Sequence, residues 1–108
     1  MMDTLEKHLY INQLFWLYGE LLTDRQNEMV HYYYEENYSL HEVSEILGVS
    51  RNAVHDQLKR AEEKMRDYEK RLGLLKREQT RLKIIEQLED TTEDETQLYL
   101  IEQLKKVE

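Results

Sequence analysis

The sequence predicts an all-α fold with an extended C-terminal helical arm. The 108-residue chain has no proline and only three glycines, and it is rich in Leu, Glu, Lys, Arg and Gln, which favour helix. Its apolar residues recur three and four positions apart, a spacing that places them on one side of a helix. Charged residues make up 35% of the chain, so the helices should have wide solvated faces around one modest core.

The composition also argues against several classes of protein. Cysteine is absent, which excludes disulfides and thiolate metal sites and agrees with a reducing compartment. The N-terminal residues show no basic region followed by an uninterrupted apolar run, so no signal peptide is expected. No apolar stretch approaches the ~18 residues needed to span a bilayer. We therefore expect a soluble, cytoplasmic protein that does not contact membranes.

Charge is distributed unevenly along the chain. Residues 1–50 carry a net charge of -7, residues 51–83 carry +5, and residues 84–108 carry -6. For binding to a polyanion, this distribution matters more than the total of -8. Many charges of the basic block can also pair with each other on a solvated helix.

A first helix is predicted from about Thr4 to Leu22. Its apolar stripe comprises Ile11, Leu14, Phe15, Tyr18, Leu21 and Leu22. Tyr10, Trp16 and Leu17 lie off this stripe, so the helix is either central to its domain or shared with another subunit. Gly19 weakens the helix, and close packing against a neighbour should compensate.

A second helix should begin at the capping box Thr23–Gln26 and run to about Glu35. Its inward residues are predicted to be Met29, Val30 and Tyr33. The three consecutive tyrosines 32–34 cannot all face one way, so at least one ring should lie on the surface or in an interface. Stacking of a nucleobase on such a ring is conceivable, but packing with the hydroxyl in water is the simpler interpretation.

The next segment has the features of a helix-turn-helix. A second capping box at Ser39–Glu42 begins a short helix whose inner side holds Leu40, Val43, Ile46 and Leu47. Gly48 can adopt the left-handed conformation that ends this helix, and Ser50 can cap the next one. The inner face of that next helix consists of Val54, Leu58 and Ala61. Two helices with apolar residues bracketing a glycine-containing turn predict a helix-turn-helix.

A heptad pattern continues beyond the turn. Its positions are Val54, Leu58, Ala61, Met65, Tyr68, Leu72 and Leu75. Residues 51–89 form either one long bent helix or two helices, with Gly73 as the natural break. Thr92 could cap a last helix, whose apolar line is Leu98, Ile101 and Leu104. We expect residues 1–65 to form the helix-turn-helix unit and residues 66–108 an arm that packs with it as one domain.

The second helix of such a motif enters the DNA major groove, and residues near its N-terminus face the bases. Arg51 could contact guanine and Asn52 adenine, each through two hydrogen bonds. The other candidates suit phosphates. The predicted nucleic-acid-binding residues are Ser50, Arg51, Asn52, His55, Lys59 and Arg60. Asp56 lies among them and should repel the backbone of DNA.

Other functions have less support in the sequence. A helix-turn-helix can also serve as a compact scaffold or bind protein, and the acidic flanks weaken attraction to DNA. His8, His31, His41 and His55 show no metal-ligand spacing with each other. No glycine-rich phosphate loop or nucleophile elbow is present. We therefore expect neither an enzyme nor a bound metal or cofactor.

The apolar first helix and the heptad pattern together predict a homodimer. The residues predicted to form its interface are Tyr10, Leu14, Trp16, Leu17, Met65, Tyr68 and Leu72. A dimer would present two reading helices to a site with two-fold symmetry. Alternatively, the heptad residues pack against the first or last helix of the same chain.

Several short motifs resemble the YlxM family of small bacterial proteins. They are Leu21–Gln26, Tyr32–Tyr34, Tyr38–Leu40, Val49–Val54 and the pair Lys59-Arg60, within a match from about Leu14 to Leu72. The helix-turn-helix part, with no winged element, is also similar to region four of bacterial sigma factors, which binds promoter DNA. Glutamine and tyrosine are usual in the family where this chain has Asn52 and His55.

The resemblance implies a helical, DNA-binding-like and oligomeric protein. Genes of the YlxM family lie beside those for signal recognition particle components, which implies a role in that protein-targeting pathway or in its regulation. Signal recognition particle components are therefore expected partners alongside DNA. The alternative to a DNA-binding regulator is a module of the same pathway that binds protein or the particle's RNA.

Overall fold

The computed structural model describes residues 2–107, which are helical except for short loops and contain no strand. Its six α-helices are α1 (Thr4–Tyr18), α2 (Asp24–Val30), α3 (Leu40–Leu47), α4 (Arg51–Leu72), α5 (Leu74–Thr91) and α6 (Glu95–Lys106). The all-α prediction is confirmed. Two compact units are present, the first ending at Gly73 and the second beginning at Leu74. Packing of the two parts as one domain stays a prediction.

Helix α1 begins after Asp3, whose side chain accepts a hydrogen bond from Glu6 N at 2.7 Å. It ends at Tyr18, and residues Gly19–Leu21 form one 3₁₀ turn. A Cβ atom on Gly19 would come within 2.8 Å of the Phe15 ring, so the packing that favours glycine comes from the same helix. Because the 3₁₀ turn changes the phase of the chain, Leu21 is 50% exposed. Its predicted place in the apolar stripe was wrong.

The capping box at the start of α2 is confirmed, since Thr23 Oγ1 accepts from Gln26 N and Gln26 Oε1 accepts from Thr23 N. The helix does not continue to Glu35 in α-helical form. A wider π-helical turn spans His31–Glu35. Because of it, the residue that faces the core lies one position later in the sequence than an α-helix would place it. Tyr34, with 3% of its surface exposed, therefore enters the core. The prediction of an inward Tyr33 was wrong, because that ring is only half-buried.

Helices α3 and α4 form the predicted helix-turn-helix. Ser39 and Glu42 make the capping box at the start of α3. Gly48 ends α3 with φ of 67°, in the left-handed region, where glycine carries no steric penalty. Ile46 is 49% exposed, contrary to the prediction. In this two-turn helix Val43 is buried as predicted, and the other buried residue is Ser44.

Helix α4 is the centre of the first unit, and α1, α2 and α3 all pack against it. Its buried residues are Val54, Leu58, Ala61 and Met65, the first four heptad positions. Leu72 is 51% exposed, so the buried stripe stops before the helix does. Gly73, with φ of 63°, ends α4. Residues 51–89 are therefore two helices.

The second unit is a hairpin of α5 and α6, which pack against each other. Asp94 caps α6 by accepting from Gln97 N at 2.9 Å. The predicted cap, Thr92, was wrong: it lies two residues too early, and its hydroxyl is near Asp94 N and the Gln97 side chain instead. Ile101 is buried in α6. Within residues 2–107, no helix combines the length and apolar character that crossing a membrane requires.

Candidate nucleic-acid interface

The start of α4 is held in a defined orientation. Ser50 Oγ accepts a hydrogen bond from Ala53 N at 3.0 Å, which caps the helix. Val54 and Leu58 are 0% and 4% exposed and fix the inner side of the helix. The opposite side therefore faces solvent. The predicted nucleic-acid-binding residues, all exposed, are Ser50, Arg51, Asn52, His55, Lys59 and Arg60.

The exposed side of α4 carries charges of both signs. Among the described residues, Arg51, Lys59 and Arg60 form no ion pair within 4.0 Å. The Asp56 side chain is 72% exposed, and its Oδ1 lies 3.7 Å from His55 Nδ1. Glu63, one turn beyond Lys59, is exposed as well. We call the exposed side of residues 50–63 the reading face; three permanent cations outnumber two anions on it.

A third acidic residue of this region, Glu62, is neutralised from within the fold. Lys7 Nζ of α1 lies 2.9 Å from Glu62 Oε1, and the Tyr34 hydroxyl donates to the same carboxylate. Burial, followed by the contact with Glu62, raises the pKa of Tyr34 well above its ordinary value. Tyr34 therefore keeps its proton, and the Glu62 charge is compensated by these two partners.

An open cleft of about 350 Å³ adjoins the reading face. Its lining includes Lys7, Tyr33, His55 and Lys59. The sequence predicted only His55 and Lys59 as site residues. The sequence around Lys7 and Tyr33 does not predict that they lie near His55 and Lys59. The helix α1 and the π-helical turn contact α4 only through long-range packing.

Two polar contacts link α2 to the helix-turn-helix. Gln26 Nε2 donates to Gln57 Oε1 of α4 at 3.4 Å. Arg25 Nη1 lies 3.5 Å from the carbonyl of Leu47, the last residue of α3. Together they restrain α2 against both helices of the motif.

The residues predicted to form a dimer interface differ in how far they are exposed. Leu14 and Met65 are 0% exposed, so neither offers surface to a partner of the folded unit. Trp16 and Leu72 are 72% and 51% exposed. The remaining three, half-buried at the surface of the first unit, are Tyr10, Leu17 and Tyr68.

Two half-buried tyrosines of this set pack within their own unit. The Tyr10 ring lies under the Arg66 guanidinium at 5.4 Å, and Tyr68 stacks on Tyr18 at 5.8 Å between ring centres. Among residues 2–107, no group of three His, Asp or Glu side chains could hold a metal ion.

Comparison with known proteins agrees with this architecture. Residues 5–107 match the UPF0122 family, described as "Putative helix-turn-helix protein, YlxM / p13 like". The chain belongs to this family. The resemblance of the sequence to YlxM proteins is therefore confirmed, and the helix-turn-helix is the feature that the YlxM / p13-like family shares with this structure.

Relatives in the YlxM / p13-like family cover most of the chain. A UPF0122 protein of Caldanaerobacter subterraneus subsp. tengcongensis is 48% identical over 82 residues, which are 76% of this chain and 70% of that protein. One of Listeria monocytogenes serotype 4b is 48% identical over 84 residues, covering 78% and 76%. One of Oceanobacillus iheyensis is 43% identical over 101 residues, covering 94% and 96%. The similarity thus includes the helical hairpin as well as the helix-turn-helix.

Proposed function

We propose that this protein is a cytoplasmic DNA-binding regulator that inserts the start of α4 into the major groove. The observation that carries the proposal is the division of α4 into two sides. Val54 and Leu58 are buried, while Arg51, Lys59 and Arg60 lie on the exposed side without ion-pair partners among the described residues. This is the arrangement in which a second helix of the motif contacts bases.

The proposed roles differ among the six residues. Arg51 and Asn52, at the N-terminus of α4, hydrogen-bond to base edges, guanine and adenine respectively. His55, Lys59 and Arg60 contact phosphates, and the Ser50 hydroxyl adds a further phosphate contact. The proposal includes the similarity to region four of bacterial sigma factors, in which the second helix of the motif also binds DNA.

The electrostatic contribution should be moderate. Affinity falls with salt by a slope of roughly -0.9 for each phosphate neutralised. Lys59 and Arg60, the two permanent cations assigned to phosphates, therefore predict a slope of about -2 for one chain. Asp56 works against this attraction, so specificity must come mainly from the contacts of Arg51 and Asn52.

A homodimer is part of the proposal. Two copies would present two reading helices to a site with two-fold symmetry. Trp16 and Leu72, the most exposed of the residues predicted for the interface, support such an association.

The alternative function is a module of the signal recognition particle pathway that binds protein or the particle's RNA. The exposed carboxylates of Asp56 and Glu63 on the reading face favour its protein-binding form, since they oppose a nucleic-acid backbone and suit a basic protein surface. The pathway itself is inferred from the neighbourhood of YlxM-family genes.

A tagged pull-down from native lysate, performed with and without nuclease, tests the proposal against this alternative. A DNA-binding regulator should retain DNA fragments that carry a common sequence, and nuclease should remove them. Particle protein that stays bound after nuclease treatment would favour the protein module. Recovery of the particle's RNA, with its protein lost after nuclease, would favour RNA binding.

A further inference from the structure

The hairpin of α5 and α6 leaves most of its apolar side chains uncovered. Within residues 74–107 only Leu75, Ile85 and Ile101 are buried. A segment of fewer than ~40 residues rarely sustains a core without another surface to pack on. The hairpin therefore needs a partner for its apolar surface.

Four of the uncovered side chains, two on each helix, define a surface that we call the hairpin face. It consists of Ile84, Leu88, Leu100 and Leu104, which are 54%, 44%, 59% and 42% exposed. Each pair is four residues apart on its helix, so its members lie on one side. A groove of about 400 Å³ runs between the helices and is lined mainly by Leu88, Leu100, Ile101 and Leu104.

Charge is segregated along the length of the hairpin. Residues 74–83 hold four cations and one anion, whereas residues 84–101 hold six anions and no cation. Arg81 Nη1 donates to the Leu104 carbonyl at 2.7 Å, and Lys105 Nζ pairs with Glu89 Oε1, so the end of α6 lies beside the middle of α5 and the charge of Lys105 is balanced within the hairpin. The hairpin thus has a basic end at the start of α5 and an acidic end at the connecting loop.

We propose that the hairpin face binds the same face of a second copy of this chain, in antiparallel orientation, to form a four-helix bundle. An antiparallel pair places each basic end against the acidic end of the partner, on both sides of the two-fold axis. A parallel pair would bring like charges together. The apolar faces supply the contact and the charged ends select the orientation. This proposal does not rest on nucleic-acid binding.

The contact is tested by sedimentation of the full-length chain at micromolar concentrations. Wild type should be dimeric, and the double variant Ile84→Asp/Leu100→Asp should be monomeric, with its dissociation constant raised at least tenfold. Tyr99→Asp is the matched control, since Tyr99 is 62% exposed but lies on another side of α6. Circular dichroism checks that all three keep their helical content. A monomeric wild type would overturn the proposal, and so would a fully folded double variant that stays dimeric, because its contact would then lie elsewhere, as at the exposed Trp16 and Leu72.

The orientation is tested by exchanging charges at the two ends. Arg77 lies seven residues before Ile84 and so on the same side of α5, and Glu93 lies in the loop at the acidic end. Arg77→Glu and Glu93→Arg should each weaken self-association, and an equimolar mixture of the two variants should recover it. Added salt should weaken the wild-type dimer. A dimer strengthened by salt, or a mixture that does not recover, would contradict the antiparallel arrangement.

Discussion

Lys7 Nζ lies 2.9 Å from Glu62 Oε1, so α1 neutralises an acidic residue of α4. The Tyr34 hydroxyl donates to the same carboxylate. With Glu62 paired, the exposed charge near the reading face is more positive than the sequence of α4 alone indicates. The contact thus links the packing of α1 to the electrostatics of the candidate interface.

Removing this partner should weaken nucleic-acid binding. Lys7→Ala leaves the Glu62 charge less compensated beside Lys59, and the cost should be about 1 kcal/mol, roughly fivefold in affinity. The double variant Lys7→Ala/Glu62→Gln should recover most of the loss. Fluorescence anisotropy with a duplex selected by the wild-type chain measures both. Failure of the second substitution to restore affinity would show that Lys7 acts as a direct contact.

Asp56 should oppose binding. Its side chain is 72% exposed on the reading face, and Asp56→Asn removes a like charge from the vicinity of phosphates. We expect affinity to rise by about 1 kcal/mol at low salt and by less at high salt, where screening is stronger. Asp67→Asn, near the far end of α4, serves as the control. Weaker binding by Asp56→Asn would instead indicate that this carboxylate contacts the ligand directly.

Tyr34 should make the folded state sensitive to alkaline pH. Its pKa is raised in the folded protein by burial and by Glu62. The stabilisation is therefore complete below the unfolded pKa of about 10 and is lost as pH rises above that value. Tyr34→Phe should cost about 1–2 kcal/mol at neutral pH and should flatten the decline above pH ~10. Urea unfolding at several pH values measures this, with Tyr99→Phe as an exposed control. An unchanged alkaline decline in Tyr34→Phe would contradict the assignment.

Ser50 should contribute to stability as a helix cap and to binding as part of the reading face. Ser50→Ala should lower the free energy of unfolding by about 1 kcal/mol, because Ala53 N loses its acceptor. Ser50→Asp should keep the cap and the stability but should weaken nucleic-acid binding by introducing an anion. Thermal unfolding and anisotropy together separate the two effects. Equal loss of stability in both variants would exclude the capping role.

Local signals predicted much of the fold. The capping residues Thr23, Ser39 and Ser50, and the glycines that end α3 and α4, act within four residues of the chain, and the structure contains each of them as predicted. Capping and helix-ending patterns that span so few residues can be recognised in a single sequence.

Features that depend on helix phase or distant packing could not be predicted in this way. No local sequence pattern predicts the π-helical turn that places Tyr34 in the core and leaves Tyr33 half-buried. The wider turn is stabilised by the core around it. The sequence did not distinguish Asp94, which caps α6, from Thr92, another good capping residue two positions earlier. Lys7 reaches Glu62 across 55 positions of sequence, and only the packing of α1 on α4 brings them together.

The most direct test of the reading face compares Arg51→Ala and Lys59→Ala with Arg71→Ala. Arg71 is an exposed arginine of the same helix, paired with Asp67 at 3.0 Å, and it lies outside the reading face. Binding of each variant to duplexes selected by wild type should be measured by anisotropy across a range of salt concentrations. Arg51→Ala should cost about 1–3 kcal/mol and relax base preference at one position, and Lys59→Ala should reduce the salt slope by about 1. Arg71→Ala should bind like wild type. Equal affinities for all four proteins, or no selected duplex at all, would contradict the account.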